Sequence, residues 1–332
     1  MKYLLICLLS ILSLPLSTYA LLNRLDLPDS HAPISVMGDH THHTGGWMFS
    51  YQYMPMMMAG IGNGTDSLSS SEFENQSDYE IRPKDMSMAM HMIGVMVAPF
   101  DQLTLMAMIP YHHNTMRHYH QHHDEPVEIM SHKSSGWGDI SIDGLWTHIN
   151  TAQHKSHLTL GLSIPTGKID AKDNGSTLGY GMQLGSGTYD IKTAYTYTQF
   201  FDQYSVGFQA HYLARTGSNN QGYRLGNQGT VSVWLAKPWN HTLSSSIQLK
   251  YATIGKIEGT HDGITAMRSS MDPVLDASNS GGQYISAGLG SNLLLTNGLR
   301  LAAEYAVPIK QYWTGYQLRL QNVLTVGLQQ SL

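Results

Sequence analysis

The chain has 332 residues, 42% of them hydrophobic and only 13% charged, with a formal net charge of −5. That balance, with no Lys/Arg cluster, excludes a nucleic-acid-binding face, which needs concentrated positive charge. The single cysteine, Cys7, excludes disulfide scaffolds, cysteine metal centres and thiol catalysis in the chain that follows it.

The first twenty residues read as a cleaved signal peptide. Lys2 gives the positive start, Leu4 to Leu16 the apolar stretch, and Thr18-Tyr19-Ala20 a small-residue cleavage site. The stretch is shorter than the ~20 residues of a spanning helix, although a lone N-terminal anchor is the competing reading. Residues 21–46 form a His-containing segment long enough to plug a lumen.

From residue 47 one pattern repeats: about ten residues alternating with period two, then turn residues. It predicts twelve strands, near 47–58, 86–98, 103–111, 137–148, 157–165, 188–199, 204–214, 228–237, 241–253, 283–295, 298–308 and 316–331. Leu158, Leu160, Leu162 and Ile164 alternate with His157, Thr159, Gly161 and Ser163. Tyr204, Val206, Phe208, Ala210 and Tyr212 oppose Ser205, Gly207, Gln209 and His211, and Leu299, Leu301, Ala303, Tyr305 and Val307 oppose Arg300, Ala302 and Glu304. An apolar face against a charged one suits lipid outside and water inside, and ten residues suffice for one tilted membrane strand. A soluble sandwich or lipocalin-like barrel would place the apolar face inward instead. Short and long connections alternate, which favours an all-β, transmembrane, antiparallel up-and-down barrel of about twelve strands over residues 47–332, in a Gram-negative outer membrane. Such a barrel has membrane lipid and the outer-membrane assembly machinery as partners. Trp47, Tyr51, Tyr53, Trp146, Tyr195, Tyr197 and Tyr212 are candidates for the interfacial aromatic girdles.

The lumen-facing positions predicted from this alternation include Asp139, Asp143, Asp190, Lys192, His211, Lys250, Arg300, Glu304 and Arg319. Their mixed signs suggest an ion-paired interior rather than a pore charged for one ion.

Soft ligands are abundant: 18 His and 19 Met. His40, His42 and His43 precede the first strand, and His112, His113, His118, His120, His122, His123 and His132, beside Asp124 and Glu125, fall in a long predicted loop at 112–136. Such tracts can hold Cu(II), Zn(II) or Ni(II), or be plain polar surface. Met48 and Met54 on the first strand and Met106 and Met108 on the third are expected to point inward. Met88 and Met90 on the second are ambiguous, because both faces of that strand carry apolar residues. Facing inward, they would complete a thioether wall suited to Cu(I) or Ag(I), or to a hydrophobic solute; methionine also serves as adaptable filler. No required cofactor is implied, and a copper or other soft ion is the expected optional ligand. No phosphate loop, zinc-protease helix or nucleophile elbow is found, so the chain reads as non-enzymatic.

Gly38-Asp39-His40-Thr41-His42, the Trp47-to-Met58 strand, Ser135-Gly136-Trp137-Gly138-Asp139-Ile140, Pro165-Thr166-Gly167 and the run from Gly181 to Asp190 resemble the outer-membrane transporter family of the phenol meta-degradation pathway. The resemblance covers about residues 35–332. It implies a barrel distantly like the fatty-acid channels, with hydrophobic or aromatic solutes. The expected function is therefore a channel for a small hydrophobic solute or a soft metal ion, gated by the N-terminal segment. The alternative is a non-conducting metal-binding or structural surface barrel.

Overall fold

The computed structural model describes residues 27–120, 128–295 and 298–332. The expected signal peptide with Cys7, and His122, His123, Asp124 and Glu125, lie outside the described residues. The wall is built from β1 (Trp47–Gly64), β2 (Ile81–Phe100), β3 (Leu103–His120), β4 (Glu128–Trp137), β5 (Ile140–Asn150), β6 (His154–Ile164), β7 (Asp190–Phe200), β8 (Ser205–Ala214), β9 (Gln228–Pro238), β10 (Leu243–Ile254), β11 (Gly282–Leu294) and β12 (Leu299–Ser331). Each pairs antiparallel with its sequence neighbour, except that β4 and β5 both pair with β3, and β12 returns to β1, so the sheet closes.

Two elements differ from simple strands. β12 is a continuous extended run of 33 residues, which at ~3.3 Å per residue would far exceed any barrel height. It folds back on itself at Gly315, where φ is +70°. Arg300 then meets Gln329 at 2.6 Å and Gln311 meets Leu320 at 2.9 Å. One arm pairs with β11 and the other with β1, with Met48 opposite Ser331. β4 and β5 share one wall position: β4 pairs with the outer half of β3, and β5 with its inner half. Counted this way the wall has twelve positions, as predicted.

The predicted loop at 112–136 is a correction. β3 continues to His120 and β4 starts at Glu128, so most of the His-rich stretch is paired strand. β1, β2 and β3 run 18, 20 and 18 residues, well beyond the ~9–11 a membrane strand requires. They raise a tall wall on the outer side.

The barrel is apolar outside and polar inside. Leu158, Leu160, Tyr212, Leu249, Leu289 and Tyr305 are exposed, whereas Thr104, Asp143, Thr196, Gln209, Asn292 and Glu304 are buried. This sidedness rules out the soluble alternative, whose apolar face would fill the interior. The girdle candidates Trp47, Tyr51, Trp146, Tyr195 and Tyr212 are on the exposed side.

Candidate functional site

Residues 27–44 enter the barrel and are held there by side chains from across the wall. Ser205 on β8 donates to Asp29 O at 2.6 Å, and Asn292 on β11 reaches toward Pro28 O and His31 O. The Arg300 guanidinium donates to Ala32 O at 2.8 Å while also binding Asn292 and Gln329. Ser35 donates its N–H to Glu304 and its hydroxyl to Gln248, and accepts from Lys250 Nζ at 3.3 Å. Gln209 donates to Met37 O, and His157 Nε2 pairs with Gly38 O at 2.8 Å. Ala32 and Val36 pack on Trp234 of β9. These contacts explain why the lumen positions are polar: a chain without its own ladder needs partners for its buried carbonyls and amides.

Within this segment Asp39 is a hub. Its Oδ2 accepts the Ala32 N–H at 3.0 Å and lies 3.9 Å from Arg300 Nη1, while its Oδ1 is 2.7 Å from His40 Nδ1. His31 Nδ1 lies 3.7 Å from Asp39 Oδ2, beyond hydrogen-bond reach. The His31 and His40 rings meet edge-on at 4.7 Å between centroids, and His40 and His42 at 4.9 Å. Burial and then Arg300 push the His31 imidazole down to about 3, and burial with the neighbouring His40 pushes His42 to about 4. Burial alone would raise the Asp39 carboxyl, but His40, His31 and Arg300 outweigh it and hold it well below its ordinary value. Both these imidazoles are therefore neutral bases at neutral pH, beside a carboxylate. His43 stands apart: it is exposed, 3.7 Å from Asp101.

The methionines settle the parity of the second strand. Met48, Met96, Met106 and Met108 are buried with Leu145, and Met37 and Met92 pack on them. Farther out, Met86, Met116 and Met182 are buried with Leu178 and Leu318, joined by Met58 and Met88. Register connects the two groups: Met48, Met96 and Met106 lie abreast, then Met54, Met90 and His112, then Met58, Met86 and Met116. Met88 and Met90 share the inward side of β2, while Ile93 and Met57 are exposed on the other face. The result is a thioether column over ten residues of strand, about 33 Å at ~3.3 Å each. A cavity of about 20 Å³ between Met37, Gly38, Asp39 and Met48, Met96, Met106 and Met108 lies at its inner end, room for one water or ion.

At the outer end, His112 and His120 are half-buried and His118 buried, whereas His113 is exposed on the opposite face. His118 and His132 rings lie 5.5 Å apart, and His132 Nδ1 is 3.2 Å from Asp173. Tyr180, Tyr223, Ile264 and Leu275, from three connecting segments, pack together above this end. The quoted glycine motifs converge on Asp139 in the break between β4 and β5: its carboxylate accepts the Gly167 and Ser186 N–H groups and the Ser186 hydroxyl.

Of the predicted lumen polar residues, Asp143 pairs with Lys192 at 2.8 Å, and Asp190 with Arg215, which sequence reasoning did not single out. His211 shares the inward side of β8 with Gln209. Arg319 is a correction. It points outward and donates to Thr65 O and Asp66 O, because a bulge at residue 321, between the Met57 and Met58 pairings, reverses the alternation of that strand. Sequence reading also left out His31 and Asp39 as site residues, and Met37, Met116 and Met182, while Met96 belonged to the second strand, whose facing was ambiguous. Only the inward parity of the strands could have indicated Met96 and Met116.

A family model described as "Putative MetA-pathway of phenol degradation" matches residues 82–311, more than half of the chain. Among solved structures, an outer-membrane channel from Pseudomonas putida F1 has a TM-score of 0.60 at 12% identity, covering 90% of this chain and 99% of that one. A Pseudomonas aeruginosa FadL homologue has a TM-score of 0.42 at 9% identity, covering 86% and 90%. The CymD monoaromatic hydrocarbon channel has a TM-score of 0.40 at 7% identity, covering 88% and 89%. A comparison with curated proteins finds no match.

Proposed function

The chain belongs to this phenol-degradation family, and on that premise we propose that it is an outer-membrane channel for small hydrophobic solutes, aromatic ones included. The observation that carries the reading is the thioether column on β1 to β3, facing a lumen whose other walls carry mainly polar side chains. Sulfur–aromatic contacts supply ~0.3–1.5 kcal/mol each. A solute can therefore step between near-equivalent weak sites without being trapped, which is what conduction demands. Polar residues on the far wall keep ions paired and give an apolar solute nothing to bind.

The test is uptake of radiolabelled naphthalene by cells with a lipopolysaccharide outer membrane that express the full chain. We expect uptake several-fold above cells without it, and loss of most of that gain when Met54, Met88, Met90 and Met92 are changed to Gln in a barrel that still shows heat-modifiable mobility. Equal uptake with and without the barrel overturns the reading.

One observation favours a second reading, a soft cation such as Cu(I) or Ag(I): imidazole clusters stand at both ends of the same column. Thioethers select such ions. Competition between the refolded barrel and a Cu(I) chelator decides it. Retention of copper by the native chain, and its loss when Met48, Met54, Met106 and Met108 are changed to Leu, supports the cation. No retention leaves the column to hydrophobic solutes.

A further inference from the structure

His31, Asp39 and His40 offer ligand atoms that all lie within 4.8 Å of one another. Among the described residues, His31 Nδ1, His40 Nε2 and His42 Nε2 are buried without a hydrogen-bond partner. Buried polar atoms left in this state ask for an explanation. Asp39 supplies part of one. Its Oδ1 is 2.7 Å from His40 Nδ1, close to the spacing of two neighbouring donors on one ion. Three rings converge edge to edge from two stretches of the same segment, with His31 nine positions before His40 and eleven before His42, rather than from one exposed tract.

We propose that His31, Asp39 and His40 hold one borderline divalent transition-metal ion inside the barrel, with His42 as the nearest further donor. Mixed imidazole and carboxylate donors suit Cu(II), Ni(II) or Zn(II) rather than Ca(II) or Mg(II). Metal–nitrogen bonds near ~2.0–2.1 Å draw the ligand atoms closer than they now stand, a side-chain movement of about an ångström. Arg300 and Lys155 lie close enough to repel a dication, which favours the metal with the highest intrinsic affinity for nitrogen, Cu(II). Once bound, the ion closes residues 31 to 40 into a loop and holds both halves of the segment in the lumen. This proposal stands whichever solute the channel carries.

The test uses the full-length chain refolded in detergent and titrated with Cu(II), read by electron paramagnetic resonance. We expect one tightly held equivalent with nitrogen hyperfine structure. It should vanish in His31→Ala/His40→Ala and persist in a variant with His43, His113, His122 and His123 changed to Ala. A native chain that holds no equivalent, a signal that survives the His31/His40 change, or one that disappears with the second variant overturns the proposal. If the double variant fails the heat-modifiability check, His40→Gln is read by the same criteria.

Discussion

Gly207 shows how a single absent methyl positions the lumen. It lies on β8 directly opposite Trp234 of β9, and a Cβ there would fall 2.0 Å from the indole. The indole is 2% exposed and packs on Ala32 and Val36 of the inserted segment. Gly207→Ala must push Trp234 into that segment, and such overpacking costs typically ~1–3 kcal/mol. The expected result is a lower urea midpoint for the refolded barrel and faster proteolysis within residues 27–44. An unchanged midpoint and digestion rate would show that Trp234 has room to move. Sequence reading placed both residues on strands and Gly207 on the inward side, but the contact between them depends on cross-strand register, and Ala32 is some 200 positions away. The same limit applied to the imidazoles. Adjacency in sequence grouped His40 with His42 and His43, whereas the path of the segment inside the barrel turns His43 out to Asp101 and brings in His31. Arg319 was misplaced by one bulged residue, a feature that period-two reading cannot register.

The strands within the membrane were legible because their two faces meet opposite media. Above it both faces meet water or polar loops, so the alternation that marks a strand fades. That is why residues 112–120 and 128–136, with His, Asn, Thr and Ser on either side, read as a loop while they belong to β3 and β4. The packing of the outer segments was equally invisible, since it joins stretches far apart in sequence. One such element has a predictable pH response. Asp272 ends the short helix Ala266–Met271 and accepts the Val274 N–H at 3.0 Å, with its other oxygen 3.9 Å from His118. Burial pushes its carboxyl up to about 7, against the opposing pull of Val274 and Arg268. Because the folded value is raised, the group's contribution to docking is full below the ordinary carboxylate range and is lost as pH rises through about 7. Amide exchange over 262–280, corrected for its intrinsic pH dependence, should be faster at pH 8 than at pH 5. Asp272→Asn retains an acceptor for Val274 and cannot ionise, so it should remove most of that difference. Equal exchange at both pH values in the native chain would contradict a neutral buried Asp272.

At the scale of the molecule, the barrel and the inserted segment are separable in their hydrogen bonding. The wall closes through β12 and β1 by its own backbone ladder, whereas residues 27–44 are held by side chains projecting from that wall. Deleting residues 27–44 should therefore leave a folded, heat-modifiable barrel. It would expose Gln209, Gln248, Asn292, Arg300 and Glu304 to water, where solvation replaces the lost partners at little cost. In a planar bilayer we expect small or absent ion current for the native chain and large ohmic steps for the deletion. Arg300→Ala should fall between them. It removes the donor to Ala32 O and leaves Asp39 buried without its guanidinium, a loss that destabilises the docked segment while leaving the wall ladder intact. The ordering of the three currents discriminates the causes. A deletion variant that conducts no better than the native chain would place the barrier elsewhere, at the outer packing of Tyr180, Tyr223, Ile264 and Leu275. An Arg300→Ala current equal to that of the deletion would mean that this one side chain holds the segment in place. The native barrel should carry hydrophobic solute without matching ion current, because the thioether column offers weak apolar sites along one wall while the segment, which meets the column at Met37, occupies the polar side of the lumen.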